Sequence, residues 1–240
     1  MSTTMQPKAL VVDFLATLVR PVGGVAPPRL DAVSATLGYP IDPIVFGRWN
    51  HRFEGASHRA SSASAQDYQA WHESRVALLL EHAGIAVSAR PGLAKALLAA
   101  LVPPALEPYP ETAGALAELR SSGFALAICA NWGWNLDVAV AETGLAGLVD
   151  AVVCSARVGA RKPNSEPYLA ALRQVGARPL EAIAVGTSWG TDVLAPTAVG
   201  MAAIHLWRPE EHLGHEPPAR RPGVRRVGDL GELVAVLAHR

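Results

Sequence analysis

An α/β fold is predicted by three features of the 240-residue sequence. From Tyr109 onward, short apolar runs that read as buried strands alternate with segments patterned as helices, the grammar of a parallel sheet with helices on both faces. A further run of this kind, Ala9-Leu10-Val11-Val12, stands far upstream and ends on a carboxylate, Asp13. Between the two, Asp42 to Ala105 carries helical patterning and no strand alternation. The simplest architecture is a Rossmann-like parallel sheet core built from residues 1–20 and 106–240, with an inserted all-helical cap domain, residues 21–105, over the carboxyl edge of the sheet.

The elements follow in order. After the first strand, Arg20 to Ala26 reads as a loop, and Pro27-Pro28 opens a helix with Leu30, Val33 and Leu37 on one face, stopped by Gly38 and Pro40. Ser64 is placed to cap a helix carrying Tyr68, Trp71, Val76, Leu79 and Leu80 and ending near Gly84. Another helix runs from about Pro91 to Leu101. The later part reads as helix Glu111–Arg120, strand Phe124–Ala130, helix Leu136–Glu142, strand Ala151–Cys154 and helix Ser165–Val175, then strand Ala182–Val185, helix Asp192–Val199, strand Ala202–Leu206 and a closing helix Leu230–Leu237.

Composition narrows the function classes. Half of the residues are apolar and the formal net charge is zero, so no long-range field draws the chain to nucleic acid or an anionic membrane. The basic pairs Arg220-Arg221 and Arg225-Arg226, flanked by Pro217, Pro218, Pro222 and Gly223, read as a solvated loop. No signal-peptide core or bilayer-length apolar stretch is evident, and a cytoplasmic location is expected. Cys129 and Cys154 lie in strand-like runs outside any CxxC spacing and are expected as buried free thiols. The eight histidines show no metal-ligand spacing, and His205, His212 and His215 are assigned to a strand and a surface loop.

In open parallel sheets ligands sit at the carboxyl ends of the strands. The residues following successive strands are Asp13, Asn131, Ser155 and Thr187-Ser188, with Lys162 and Asp192 in the adjoining loops. If they converge, a carboxylate nucleophile would be held ionised and positioned by Lys162. Each residue alone has a plainer account: Asp13 as a turn cap, Lys162 as a surface lysine. Trp132, Trp134 and Trp189 either wall this pocket or pack in the core.

These segments resemble the haloacid dehalogenase superfamily, in its branch with a helical cap after the first motif. The family's DxDGT-L appears as Asp13-Phe14-Leu15-Ala16-Thr17-Leu18, and its YPG segment as Tyr109-Pro110-Glu111 through Leu116, Leu119 and Gly123. The strand ending in Ser-Asn appears as Ile128-Cys129-Ala130-Asn131, SxxxGxxKP as Ser155 through Lys162-Pro163, and GDxxxxD as Gly186 through Asp192.

The resemblance implies Asp13 as nucleophile or base, Lys162 as its electrostatic partner and Asp192 as an orienting group or water activator. Asn131, Thr187, Ser188, Trp132 and the cap residue Arg48 are the implied substrate contacts, with Arg52 a second candidate beside Arg48 on what could equally be a solvated helix face. Three positions depart from the family's phosphatases: Leu15 replaces the general acid, Ala130 a phosphoryl-binding hydroxyl and Thr187 a magnesium-binding carboxylate. General acid catalysis contributes ~10²–10⁴ in rate, so an ordinary phosphate monoester becomes a poor substrate, whereas a leaving group that departs as a stable anion loses little.

The expectation is therefore a hydrolase acting without a resident cofactor, magnesium being disfavoured, on a small organic molecule in dehalogenase-like displacement or a repurposed reaction. A catalytically silent binding protein and a weak magnesium-dependent phosphatase are the alternatives. A small-molecule substrate, no nucleic acid, no membrane, and a monomer or homodimer complete the expectation.

Overall fold

The structure, a computed structural model, describes residues 7–23, 29–47, 63–101, 104–211 and 216–238. A six-stranded sheet forms the centre, in the order β5-β4-β1-β6-β7-β8. Its strands are β1 (Ala9–Val12), β4 (Ala125–Ala130), β5 (Ala151–Cys154), β6 (Ala182–Gly186), β7 (Ala202–Leu206) and β8 (Arg225–Val227). Every pairing within it is parallel. β1 is central because all four of its side chains are apolar and at most 3% exposed. Leu10 and Val12 enter one apolar cluster and Ala9 and Val11 the other, the two-residue period of a strand covered on both faces.

Helices α4 (Thr112–Ser121), α5 (Leu136–Glu142) and α9 (Leu230–Ala238) cover the first face. The second face is covered by α7 (Ser165–Gln174) and by a turn of π-helix, Trp189–Leu194, that runs into α8 (Ala195–Val199). The helix read from Asp192 thus begins three residues earlier, in a wider spiral that brings Asp192 back beneath β6. A short helix, α6 (Ser155–Val158), follows β5 directly.

The chain leaves the sheet region through β2 (Val19–Pro21) and returns through β3 (Leu106–Pro108), which pair antiparallel with Val19 opposite Pro108 and Pro21 opposite Leu106. Arg20 and Glu107 form an ion pair across this ribbon at 2.9 Å. Between these strands stand α1 (Arg29–Leu37), α2 (Ala65–His82) and α3 (Arg90–Ala100), and residues 43–47 are also helical. They share an apolar cluster of their own made of Val33, Ile41, Val76, Leu79, Leu80 and Leu97. Ser64 caps α2 as expected, its hydroxyl accepting from the Asp67 N–H at 3.0 Å.

Three strands escaped the sequence reading, and one corrects it. Arg225-Arg226, read as a solvated loop, begins the edge strand β8. Arg226 there donates to Nδ1 of the buried His205 at 3.1 Å and to the Pro218 carbonyl. A three-residue strand carrying two arginines has no alternation to betray it, and charge on an edge strand discourages pairing with other chains. Cys129 and Cys154 are buried and unpaired with each other, as expected. No helix among the described residues is long and apolar enough to cross a membrane.

Candidate active site

The carboxyl ends of β1, β4 and β6 bring together side chains that lie far apart in sequence. β1 delivers Asp13, whose main-chain N–H is fixed by the Val185 carbonyl of β6 at 2.9 Å. The Lys162 ammonium reaches between two carboxylates, donating to Asp13 Oδ1 and to Asp192 Oδ1, each at 2.7 Å. Lys162 is 6% and Asp192 3% exposed, while the Asp13 side chain keeps 16% of its surface open. Asp13 is therefore the member of the trio that a ligand can reach.

The remaining carboxylate oxygens are also engaged. Asp13 Oδ2 accepts from the Thr17 hydroxyl at 3.3 Å. Asp192 Oδ2 accepts from the Ser188 N–H at 3.0 Å, and its Oδ1 also receives the Thr191 hydroxyl at 3.3 Å. Gly186 makes room for this arrangement: a Cβ at that position would stand 2.5 Å from Asp192 Cγ.

Burial drives the Asp13 carboxyl up to about 6; the Lys162 cation opposes that rise and the nearby Asp192 adds to it. For Lys162, burial favours the neutral amine, but Asp13 and Asp192 outweigh it and hold the ammonium well above the usual lysine range. Cys129, buried beside this cluster, has its thiol pushed up to about 12 by burial and is no nucleophile near neutrality.

The implied substrate contacts have varied surroundings. Both functional atoms of the Asn131 amide are bonded to the Lys162 main chain, Nδ2 to its carbonyl at 2.9 Å and Oδ1 from its N–H at 2.8 Å. Trp132 is half-buried, edge-on to Phe14 at 5.6 Å between ring centroids, and its main-chain N–H and carbonyl both bond the Ser155 hydroxyl. Thr187 is half-buried, with its carbonyl 3.0 Å from His205 Nε2, and Ser188 is exposed. Trp134 faces Tyr68 of α2 at 6.5 Å, and Trp189 lies edge-on to His205 at 5.1 Å. Arg48 and Arg52 lie outside the described residues.

The sequence reading gave no part to Arg208, and none of their own to Thr17, Gly186 and His205, because each part depends on which group the fold brings opposite. Leu15, two residues after Asp13, is 41% exposed and puts an apolar side chain where the resemblance places an acid. Among the described residues no group of three His, Cys, Asp or Glu side chains assembles into a metal-binding cluster.

The model of the haloacid dehalogenase-like hydrolase family matches residues 10–200. Among curated proteins, the chain is 30% identical over 211 residues to a ribulose-1,5-bisphosphate 5-phosphatase of Halopiger xanaduensis, covering 84% of this chain and 86% of that protein. It is 34% identical over 103 residues to a glyceraldehyde 3-phosphate phosphatase of Methanothermobacter thermautotrophicus, a match spanning 41% of this chain and less than half, 44%, of that relative. Among solved structures, a 2-haloacid dehalogenase from Pseudomonas syringae pv. Tomato aligns over 98% of this chain and 99% of its own, with a TM-score of 0.66 at 22% identity. By sequence match and by fold, the chain belongs to the haloacid dehalogenase-like hydrolases.

Proposed function

We propose that the protein is a hydrolase in which the Asp13 carboxylate displaces, from a small organic substrate, a group that leaves as a stable anion. The observation that carries this reading is the Asp13–Lys162–Asp192 trio, with both short contacts at 2.7 Å and Leu15 where a proton donor would stand. Oδ2 of Asp13 forms a bond to the electrophilic carbon as the carbon–leaving-group bond breaks and its electron pair departs with the anion. Water then attacks the resulting ester at the Asp13 acyl carbon, releasing the alcohol and restoring the carboxylate. Lys162 stabilises the ionised form of Asp13 and fixes its orientation.

Asp192 orients Lys162, since both of its own oxygens are already engaged. Trp132 and Trp134 are candidate apolar walls, and Thr187, Ser188 and Arg48 candidate polar contacts. The helices between β2 and β3 act as the cap over this opening.

Magnesium is the cofactor that the family resemblance implies for a phosphatase, but the donor set does not suit it. Mg²⁺ prefers near-octahedral oxygen ligation with carboxylates supplying charge. Here two carboxylates share one ammonium, and each of their oxygens already accepts a hydrogen bond. Thr187, at the position that the resemblance gives to an acidic ligand, adds no charge. No step is routed through a metal.

The phosphatase relatives favour a second reading, hydrolysis of a phosphate ester. One assay separates the two: 2-chloropropionate and an aryl phosphate, each with and without Mg²⁺, alongside Asp13→Asn. Halide release without Mg²⁺ that disappears in Asp13→Asn supports the first reading. Mg²⁺-dependent phosphate release overturns it in favour of the second.

A further inference from the structure

We propose that Arg208 is a positioning residue for Asp13, acting through the turn of residues 14–19 that carries Thr17. Arg208 follows β7 and is 2% exposed, an unusual site for a guanidinium. Its Nη2 donates to the Thr17 carbonyl at 3.1 Å and to Glu111 Oε1 at 2.6 Å. Its guanidinium carbon lies 3.6 Å from the centroid of the Tyr109 ring. A planar fork that can stack and donate at the same time is a property of arginine that lysine lacks.

The next carbonyl of the same turn is held as firmly. Leu18 accepts from the Tyr109 N–H at 3.1 Å and from the Thr112 hydroxyl at 2.8 Å. Thr17 is thus gripped by its carbonyl from outside, while its hydroxyl is applied to Asp13 Oδ2 at 3.3 Å. The turn needs an external restraint, because Ala16 stands at a φ of 60°, a left-handed conformation that a residue with a Cβ rarely adopts. Arg208 supplies that restraint from the segment after β7, remote in sequence. It binds the carbonyl of the very residue whose side chain touches the proposed nucleophile.

The kinetic part of this inference rests on Asp13 being the nucleophile; the restraint itself does not. The test uses the full chain with Arg208→Lys and Arg208→Ala. Leu237→Ala, a core change in α9 remote from the turn, serves as a control matched for loss of Tm. Turnover is followed on whichever of 2-chloropropionate or aryl phosphate the wild type hydrolyses in an Asp13-dependent way. Hydrogen exchange is followed at the Thr17, Leu18 and Val19 amides.

Arg208→Lys should lower kcat by ~10–100-fold with KM changed by less than about threefold, the signature of misplacement rather than lost binding. The three amides should exchange faster, and guanidinium ion should restore part of the turnover of Arg208→Ala. Leu237→Ala should leave kcat near wild type. Unchanged kcat in Arg208→Lys, or a loss equal to that of Leu237→Ala, overturns the positioning role. If wild type and Asp13→Asn prove equal on both substrates, the hydrolase reading fails, and the exchange rates decide the restraint by themselves: unchanged protection at residues 17–19 overturns it.

Discussion

The Asn131 side chain brackets Lys162, donating to its carbonyl at 2.9 Å and accepting from its N–H at 2.8 Å. The loop after β4 thereby fixes the main chain from which the bridging ammonium extends. Asn131, expected to touch substrate, holds the main chain of the lysine. Asn131→Ala removes both bonds and leaves a main-chain N–H without its partner, a loss of about 1–3 kcal/mol in urea unfolding. Turnover should fall with it, because the ammonium loses its fixed origin.

Lys162→Met should be more severe. It leaves Asp13 and Asp192 facing each other, largely buried, without the cation between them. Removing one partner from a buried ionic group destabilises by about 3–5 kcal/mol. The Asp13 carboxyl should also titrate at higher pH than in the wild type, since the Lys162 charge that opposes its rise is gone. Urea unfolding at pH 8 and a pH titration of the variant check both effects.

The acid limb of activity should report Asp13. With its carboxyl raised to about 6, kcat/KM should climb as pH rises and reach half its plateau near pH 6. Stability runs the other way. The folded state holds this proton more tightly than the unfolded chain, so the stabilising contribution is complete below the ordinary aspartate pKa of 3.8 and is lost as pH rises through about 6. Asp13→Asn should therefore gain stability relative to the wild type between pH 4 and pH 7, seen as a growing difference in urea midpoint.

Gly186→Ala should damage the site without replacing any polar group in it. The added methyl would lie 2.5 Å from Asp192 Cγ and 2.7 Å from its Cβ, so Asp192 must leave its present position beside Lys162. Overpacking of this kind typically destabilises by about 1–3 kcal/mol. Turnover should drop as well, and a fall in Tm with unaltered kcat would contradict the placement of Asp192.

Ala16→Gly should stabilise the chain. At a φ of 60° alanine is disfavoured by about 1–2 kcal/mol and glycine is not, though glycine gives back part of that gain through its greater freedom when unfolded. A net rise of about 0.5–1 kcal/mol in unfolding free energy is expected from the same principle. Thermal unfolding of the two proteins side by side measures it.

The sheet was legible in the sequence wherever a strand is covered on both faces, because such a strand must be apolar throughout. Ala9 to Val12 and Ala182 to Val185 show this directly. β2 and β3 were hidden for the opposite reason: each is three residues long and ends in proline, so neither alternation nor length marks it. The polar residues at strand ends could be listed from topology alone, and Asp13, Lys162 and Asp192 do meet. The destination of the Asn131 amide could not, since it depends on which main-chain group folds opposite it. The grip of Arg208 on Thr17 was equally invisible, 191 positions separating two residues with no motif in common.

The β2–β3 ribbon has an evolutionary corollary. Pro21 and Leu106 are cross-strand partners, so the two ends of everything between them lie about 5 Å apart. A junction that narrow can be bridged by a tight hairpin turn or by a different intervening module without shifting any strand of the parallel sheet. Recombination at this junction would exchange the helical insert and leave the sheet and the residues at its strand ends unaltered.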